Sequence, residues 1–308
     1  MTVLAVDLGG SHATCGLVSG NQILVSREFD FQDARRLAPL LSALGENIQQ
    51  LIELSNDPVS GIGLGFCGLV DRARNRVAST NGKFVDAPDL DLSDWAEKEF
   101  GLPLILENDA RLALRGEMAI GAAAGRTDVV MFTLGTGIGG VAAIDGKPLY
   151  GSHGQAGVLL GHVPVADANC RCTCGGYGCA EAEASGWALT NLCQRWPGFF
   201  DSELSARTIN FESLFALAEA GDLVALDVRD YCLKIWGRMT VAAVNAFDPE
   251  LVIFGGGVMG SADQIIPVIE QHVHRNAWTA WGKPQFAKAA LGNQAALFGV
   301  LSLFEERL

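Results

Sequence analysis

Four cysteines fall within residues 170–179, and His162 stands ten positions before Cys172. Thiolate and imidazole are soft to borderline ligands, and a structural zinc ion takes four of them in a tetrahedron. His162, Cys172, Cys174 and Cys179 supply such a Cys3His set, with Cys170 a spare candidate for the place of Cys172. Gly175, Gly176 and Gly178 let the backbone turn tightly enough to gather three thiolates on one ion. The competing arrangement is a disulfide knot, which needs an oxidising compartment. The opening MTVLAVDLGG has no charged n-region, no long apolar stretch and no small-residue cleavage site, so the expectation is zinc in a cytoplasmic protein.

A second set of chemistry-bearing residues consists of glycine turns after apolar strands. Asp7-Leu8-Gly9-Gly10-Ser11 follows one, Gly135-Thr136-Gly137 another, and Gly255-Gly256-Gly257 a third. Each offers backbone N–H groups with no Cβ in the way, which is how proteins cradle phosphate. A single turn of this kind is more often a tight hairpin, and none carries the lysine of a Walker motif. Three of them able to line one cleft suggest a nucleotide. Asp109 joins this set because it sits where the apolar strand 103–106 runs out, and ligands of α/β sheets gather beyond such strand ends. Asn108 or Asp109 could simply cap the following helix. A carboxylate combined with phosphate-type turns fits phosphoryl transfer to a hydroxyl, which needs a base, a nucleotide cradle and a metal.

The elements that must position these residues follow from periodicity. TVLAVDLGG and the alternating stretch after it read as a strand and a hairpin turning at Ser19–Asn21. Apolar residues at helical spacing predict a helix over 33–54, then a strand at 62–66, a helix at 93–100, a strand ending at Asn108 and a helix after it. At VVMFTLGTGIGG the strand, glycine turn, strand pattern begins again. Helices are expected over 181–195, 211–247 and 261–275, a strand over 251–257, and a last helix over 293–308. The repeat predicts a duplicated α/β fold with a cleft between its halves. Residues 1–116 plus 293–308 would form the first domain, and 117–292 the second, which contains the segment 162–181.

Bulk properties narrow the partners. At 308 residues and 49% hydrophobic content the chain can bury two ordinary cores. A formal charge of −13 without a Lys/Arg cluster argues against nucleic acid, whose binding rests on clustered cations. Apolar runs such as VVMFTL and LVIFGG are far shorter than the roughly 20 residues a membrane helix needs, so no membrane partner is expected. Cys15, Cys67, Cys193 and Cys232 lie in apolar or helical settings and read as small buried hydrophobes.

DLGGS, GLGFCGLVD, ENDARLALRGE, LGTGIGG, GHVPV with CTCGGYGCAE, and NAFDPELVIFGGGV stand in the order and spacing of the ROK family of repressors, open reading frames and sugar kinases. The resemblance covers nearly the whole chain, and its most specific element is the histidine with CxCGxxGCxE. It implies an actin-like, ribonuclease-H-like pair of domains, ATP bound with Mg²⁺, and γ-phosphate transfer to a sugar hydroxyl, usually O6 of a hexose. By position it implies Asp109 as general base and Asn108, His162 and Glu181 as sugar contacts. It places Asp7, Gly9, Gly10 and Ser11 at the metal and phosphates, Gly135, Thr136 and Gly137 at the other phosphate side, and Gly255, Gly256 and Gly257 at the adenosine. Zinc would staple the loop, and a homodimer or homotetramer is implied.

Four positions depart from the family pattern. Leu159 stands where ExGH places a glutamate, which removes an acceptor for sugar hydroxyls and points to an unusual sugar or an amino sugar. His12 replaces the lysine of DxGGTK and gives less charge stabilisation near the phosphates. Cys67-Gly68 replaces a proline-glycine, and Arg111 takes a place where a small or amide residue is common. The alternative is a catalytically weak or inactive sugar-binding regulatory protein. Its repressor form is not expected, because the first strand begins at Thr2.

Overall fold

The computed structural model describes residues 1–9, 12–31, 34–80, 82–167, 170–280 and 282–306. Two units emerge, one of Met1–Gly125, Pro148–Ala156 and Ala290–Leu308, the other of Arg126–Lys147 and Gly157–Ala289. Among the described residues each carries one five-stranded sheet, and the two sheets have the same strand order.

The first unit opens with β1 (Thr2–Leu8), β2 (His12–Ser19) and β3 (Gln22–Asp30), an antiparallel meander. Helix α1 (Leu41–Glu53) leads to β4 (Val59–Phe66), parallel to β1. A hairpin of β5 (Gly68–Asp71) and β6 (Arg76–Thr80) and helix α2 (Leu92–Phe100) precede β7 (Leu104–Asn108), parallel to β4. The sheet order is β3-β2-β1-β4-β7. Side chains alternate across a strand, and β1 shows the result. Leu4, Val6 and Leu8 enter the core that includes Leu44, Ile48 and Leu51 of α1. Val3 and Ala5 enter a second core that includes Leu112, Leu297 and Val300. By parity Asp7 belongs to this second face, at the carboxyl end of its strand.

That second face is covered by α3 (Asp109–Ile120) and α9 (Ala295–Glu305). They approach so closely that a Cβ on Gly116 would lie 2.0 Å from the Ala295 carbonyl oxygen, and one on Gly299 1.9 Å from that of Leu112. Edge strand β7 is finished by a side chain: Asn75 donates to the Leu104 carbonyl at 2.7 Å and accepts the Leu106 N–H at 2.8 Å. The strand that delivers Asn108 and Asp109 is therefore held along both sides.

The second unit repeats the scheme. β8 (Val129–Leu134) pairs antiparallel with β9 (Ile138–Ile144), and the two-residue β10 (Lys147–Pro148) follows a turn at Asp145-Gly146. After the cysteine-rich segment come α4 (Ala180–Ala184), α5 (Gly186–Gln194), α6 (Phe211–Glu219) and α7 (Leu223–Phe247). Then β11 (Leu251–Gly255) runs parallel to β8, α8 (Ala262–Asn276) follows, and β12 (Gln285–Lys288) is parallel to β11. The order β10-β9-β8-β11-β12 mirrors the first sheet, so the expected repetition of topology is present.

Four expectations are corrected. The helix of 211–247 is two helices, because Gly221 takes φ +92° and Asp222 starts a new one by accepting the Ala225 N–H. The helix of 181–195 breaks at Ser185, whose backbone is extended. The helix expected from 33 begins as an α-helix only at Leu41. The β5–β6 hairpin and β12 were not expected: both are short and partly exposed, without the apolar run that marks a buried strand. No helix among the described residues is long and apolar enough to cross a membrane.

Candidate active site

Asn108 and Asp109 divide the work at the head of α3. Asn108 is the cap: its Oδ1 accepts the Arg111 N–H at 3.1 Å, while its amide donates to the Gly68 carbonyl at 3.1 Å and to Asp109 Oδ1 at 2.9 Å. Asp109 is thus released from capping. Its Oδ1 also accepts the Ala110 N–H at 2.8 Å. Asp109 keeps partial access to solvent, yet protein atoms surround its carboxyl densely, and this desolvation pushes its pKa up to about 6 despite the hydrogen bonds that hold it down.

Asp7 shares that environment. Burial, and then the charge of Asp109, push its pKa up to about 7. Strand order explains the pairing, since β4 alone separates β1 from β7. Cys67, just past the end of β4, feels both carboxylates. Its thiol is pushed up to about 12 by burial, then by the charge of Asp109 and, more weakly, of Asp7, so it stays protonated near neutral pH. Gly9 turns back to donate its N–H to the His12 carbonyl at 3.0 Å. Gly10 and Ser11, expected at the phosphates, lie outside the described residues.

Sequence reading gave no role to the buried ionic cluster behind Asp109. Arg111 is 1% exposed, and its guanidinium donates to the carbonyls of Leu149, Gly154 and Ala156 at 2.8–3.0 Å. Glu107 accepts the Tyr150 hydroxyl at 2.6 Å and lies 3.4 Å from Arg111. Arg72 and Arg111 both stack on the Tyr150 ring, at 4.6 and 4.5 Å. Glu117, fully buried, accepts the N–H groups of Ala122, Ala290 and Leu291 at 2.7–3.1 Å. A partial signal existed: Arg111 and Arg115 stand four residues apart on one face of α3, with Glu107 four residues earlier at the end of β7.

In the second unit the glycine turn Gly135–Gly137 is shaped by its carbonyls. Those of Gly135 and Thr136 accept the N–H groups of Gly186 and Trp187, each at 2.9 Å, and that of Gly137 accepts the Gly135 N–H at 3.0 Å. In a planar trans peptide the N–H points opposite to the carbonyl of the preceding residue. Anchoring the Gly135 and Thr136 carbonyls therefore aims the Thr136 and Gly137 N–H groups away from α5. Neither N–H meets a protein acceptor among the described residues. Two adjacent outward N–H groups make an anion-binding concavity. Gly256, at φ +90°, packs on the last residue of β8, where a Cβ would lie 2.3 Å from the Leu134 carbonyl oxygen. Parallel strands thus bring Gly255–Gly257 beside Gly135.

His162, Cys172, Cys174 and Cys179 come together, their ligand atoms all within 4.8 Å of one another. Cys174 Sγ is 3.7 Å from Cys179 Sγ, and Cys172 Sγ is 3.4 Å from His162 Nδ1. A tetrahedron with Zn–S bonds of about 2.3 Å and Zn–N bonds of about 2.0 Å has edges of about 3.5–3.8 Å; the Cys174–Cys179 and Cys172–His162 pairs match two of these edges, and the donor set is of the kind zinc takes. Cys170 is outside the group, because its thiol meets the Arg195 guanidinium. Glu181 is 6% exposed; its carboxylate accepts the Ile138 N–H at 2.9 Å and the Thr173 hydroxyl at 3.3 Å. Leu159 precedes the turn Leu160–His162 and is 37% exposed.

A sequence model of the ROK family matches residues 3–307. A glucokinase of Thermotoga maritima is 31% identical over all of this chain and 98% of its own length. The crystal structure of a ROK hexokinase from Thermus thermophilus superimposes with a TM-score of 0.83 at 30% identity, covering 100% of this chain and 99% of that one. A ROK glucokinase from Streptomyces griseus, in complex with glucose and AMPPNP, gives a TM-score of 0.78 at 28% identity, with coverage of 98% and 99%.

The raised pKa of Asp109 makes a statement about stability. The folded chain binds the proton more tightly than the unfolded one, so ionising Asp109 destabilises the fold as pH rises from about 4 through about 6. Asp109→Asn should therefore melt at a higher temperature than the wild type at pH 7.5. The difference should shrink as pH falls from about 6 to about 4 and vanish only below about 3, where the Asp109 carboxyl is neutral in the folded and unfolded chain alike. Calorimetric scans of the two proteins across that range check this.

Proposed function

The chain belongs to the ROK family, and from that membership we propose that it is an ATP-dependent carbohydrate kinase in which Asp109 is the general base. The acceptor we assign is a hydroxyl of a hexose or amino sugar, O6 by family resemblance. The observation that carries this reading is the desolvated Asp109 carboxylate, freed from capping by Asn108 and within electrostatic reach of Asp7.

The chemistry follows from charge. Asp109 takes the proton of the sugar hydroxyl as its oxygen bonds to the γ-phosphorus, the bond from that phosphorus to the β,γ-bridging oxygen breaks, and ADP leaves. A loose transition state of this kind needs positioning and charge stabilisation more than covalent help. A base with a pKa near 6 is ionised at neutral pH yet more basic than a free carboxylate. Mg²⁺ arriving with ATP would be held on Asp7, where it would supply positive charge to the phosphates and offset the burial, and the lesser repulsion from Asp109, that raise the pKa of Asp7.

In the second unit, the aimed N–H groups of Thr136 and Gly137 suit phosphate oxygens, and Gly255–Gly257 beside them suit the adenosine. His162 and Glu181 are assigned to the sugar together with Asn108. His162 turns Nδ1 towards Cys172, which leaves Nε2 for a hydroxyl. The Cys3His donors fit structural zinc, and with four protein ligands no position is left for substrate. Leu159 supports an amino sugar over a plain hexose, since an apolar side chain cannot accept a hydroxyl and accommodates an acyl substituent more readily.

ATP consumption against a panel of hexoses and amino sugars tests the assignment, with turnover of at least one sugar expected. Asp109→Ala should lower kcat by about 10²–10⁴, the usual share of a general base, while sugar still raises the melting temperature. No turnover with any sugar, or full turnover by Asp109→Ala, would contradict it. Cys174→Ala should lose its zinc, measured by elemental analysis, and its sugar-induced thermal shift together; a variant that loses zinc and keeps the shift would remove the orienting role given to the metal.

A further inference from the structure

The glycine turn between β8 and β9 is held at both ends by the segment that begins and ends the Cys3His cluster. Two residues after Cys179, Glu181 accepts the Ile138 N–H at 2.9 Å. A Cβ at Gly137 would lie 2.8 Å from the same Glu181 oxygen, so the turn rests directly on this carboxylate. Further along, Gly186 and Trp187 hold the Gly135 and Thr136 carbonyls. At the other end of the cluster, Gly161 beside His162 packs on the Ile138 carbonyl, where a Cβ would approach to 2.0 Å. The Ile138 N–H is thus held, and its carbonyl closely packed, by neighbours of metal-type ligands. Inside the loop, Thr173 stands between Cys172 and Cys174 and donates to the second Glu181 oxygen at 3.3 Å.

We propose that Glu181 is a positioning residue through which the Cys3His cluster sets the shape of the Gly135–Ile138 turn, so that zinc occupancy governs nucleotide affinity even when no sugar is present. The inference rests on reading that turn as the nucleotide turn. Its logic is geometric. The Thr136 and Gly137 N–H groups are aimed only while the peptides around them are fixed, and Ile138 is the point where the turn becomes β9. Without the Glu181 oxygen, the Ile138 N–H loses its buried acceptor and the turn can relax towards another hydrogen-bonding arrangement. Loss of the metal frees the ends of the loop and with them the register of Gly161, Thr173 and Glu181 against the turn.

Calorimetric binding of AMPPNP with Mg²⁺ in the absence of sugar, together with hydrogen exchange of residues 134–140, tests the proposal. The samples are the zinc-loaded wild type, the chelator-stripped wild type, Glu181→Ala, Glu181→Gln and Thr173→Val. Glu181→Ala should weaken nucleotide binding about tenfold, the scale of one lost charged hydrogen bond, and speed exchange across 135–138. Glu181→Gln keeps an oxygen for the Ile138 N–H and should recover most of both. Stripping zinc from the wild type should match Glu181→Ala, and stripping it from Glu181→Ala should add nothing further. Thr173→Val, which leaves every proposed zinc ligand in place, should move both readouts in the same direction by a smaller factor. Unchanged affinity and unchanged exchange after zinc removal or in Glu181→Ala would overturn the proposal. If the wild type binds no nucleotide, the kinase reading fails instead, and the exchange data then decide the coupling alone.

Discussion

A carboxylate partly desolvated at the start of α3 is the constraint around which the first unit is organised. Desolvation disfavours its charge, so the fold must hold Asp109 in place with groups that do not neutralise it. Asn108 does this from one side by capping the helix and donating to Asp109 with the same side chain. Arg111 and Glu117 do it from behind. Both are buried, and each is held by backbone partners: three carbonyls for the guanidinium, which also faces Glu107, and three N–H groups for the carboxylate. Buried charges persist only with such partners, and removing one would strand the other groups without solvent. The glycines at 116 and 299 let α9 press against the same helix at backbone distance. Helix α3 is consequently an anchored platform.

Much of this arrangement is legible in sequence. The Cys3His spacing, the glycine turns and the strand that stops at Asn108 all carry local signatures, because ligand spacing and backbone approach restrict residue type directly. The repeated strand, turn, strand pattern anticipates two sheets of the same order. What is not legible depends on distant partners. Nothing near Pro148–Ala156 announces that it joins the first unit; the reason is Arg111, some forty residues earlier, whose guanidinium needs those carbonyls. Hairpin β5–β6 is fixed by Asn75 reaching the edge of β7, again a long-range bond. Continuous helical periodicity across 211–247 hides the break at Gly221, where backbone conformation outweighs the apolar pattern.

The cysteine-rich segment acquires a wider meaning from its neighbours than from its ligands. Four side chains form a Cys3His donor set, and Gly161, Thr173 and Glu181, outside that set, connect the loop to Ile138. Leu159 sits close to the same place without any carboxylate to offer. The hydrogen bonds that shape the turn come from Glu181, Gly186 and Trp187 and do not involve the side chain at 159.

As the proposed general base, Asp109 acts in its ionised form, and burial raises its pKa. The dependence of kcat/KM on pH for the best sugar found in the panel measures this directly, since it reports the ionisation of the free enzyme's essential base. The rate should be level above pH 7 and fall tenfold per pH unit well below about 6. A profile that stays flat from pH 7 down to 5, in protein still folded at the lower value, would contradict it.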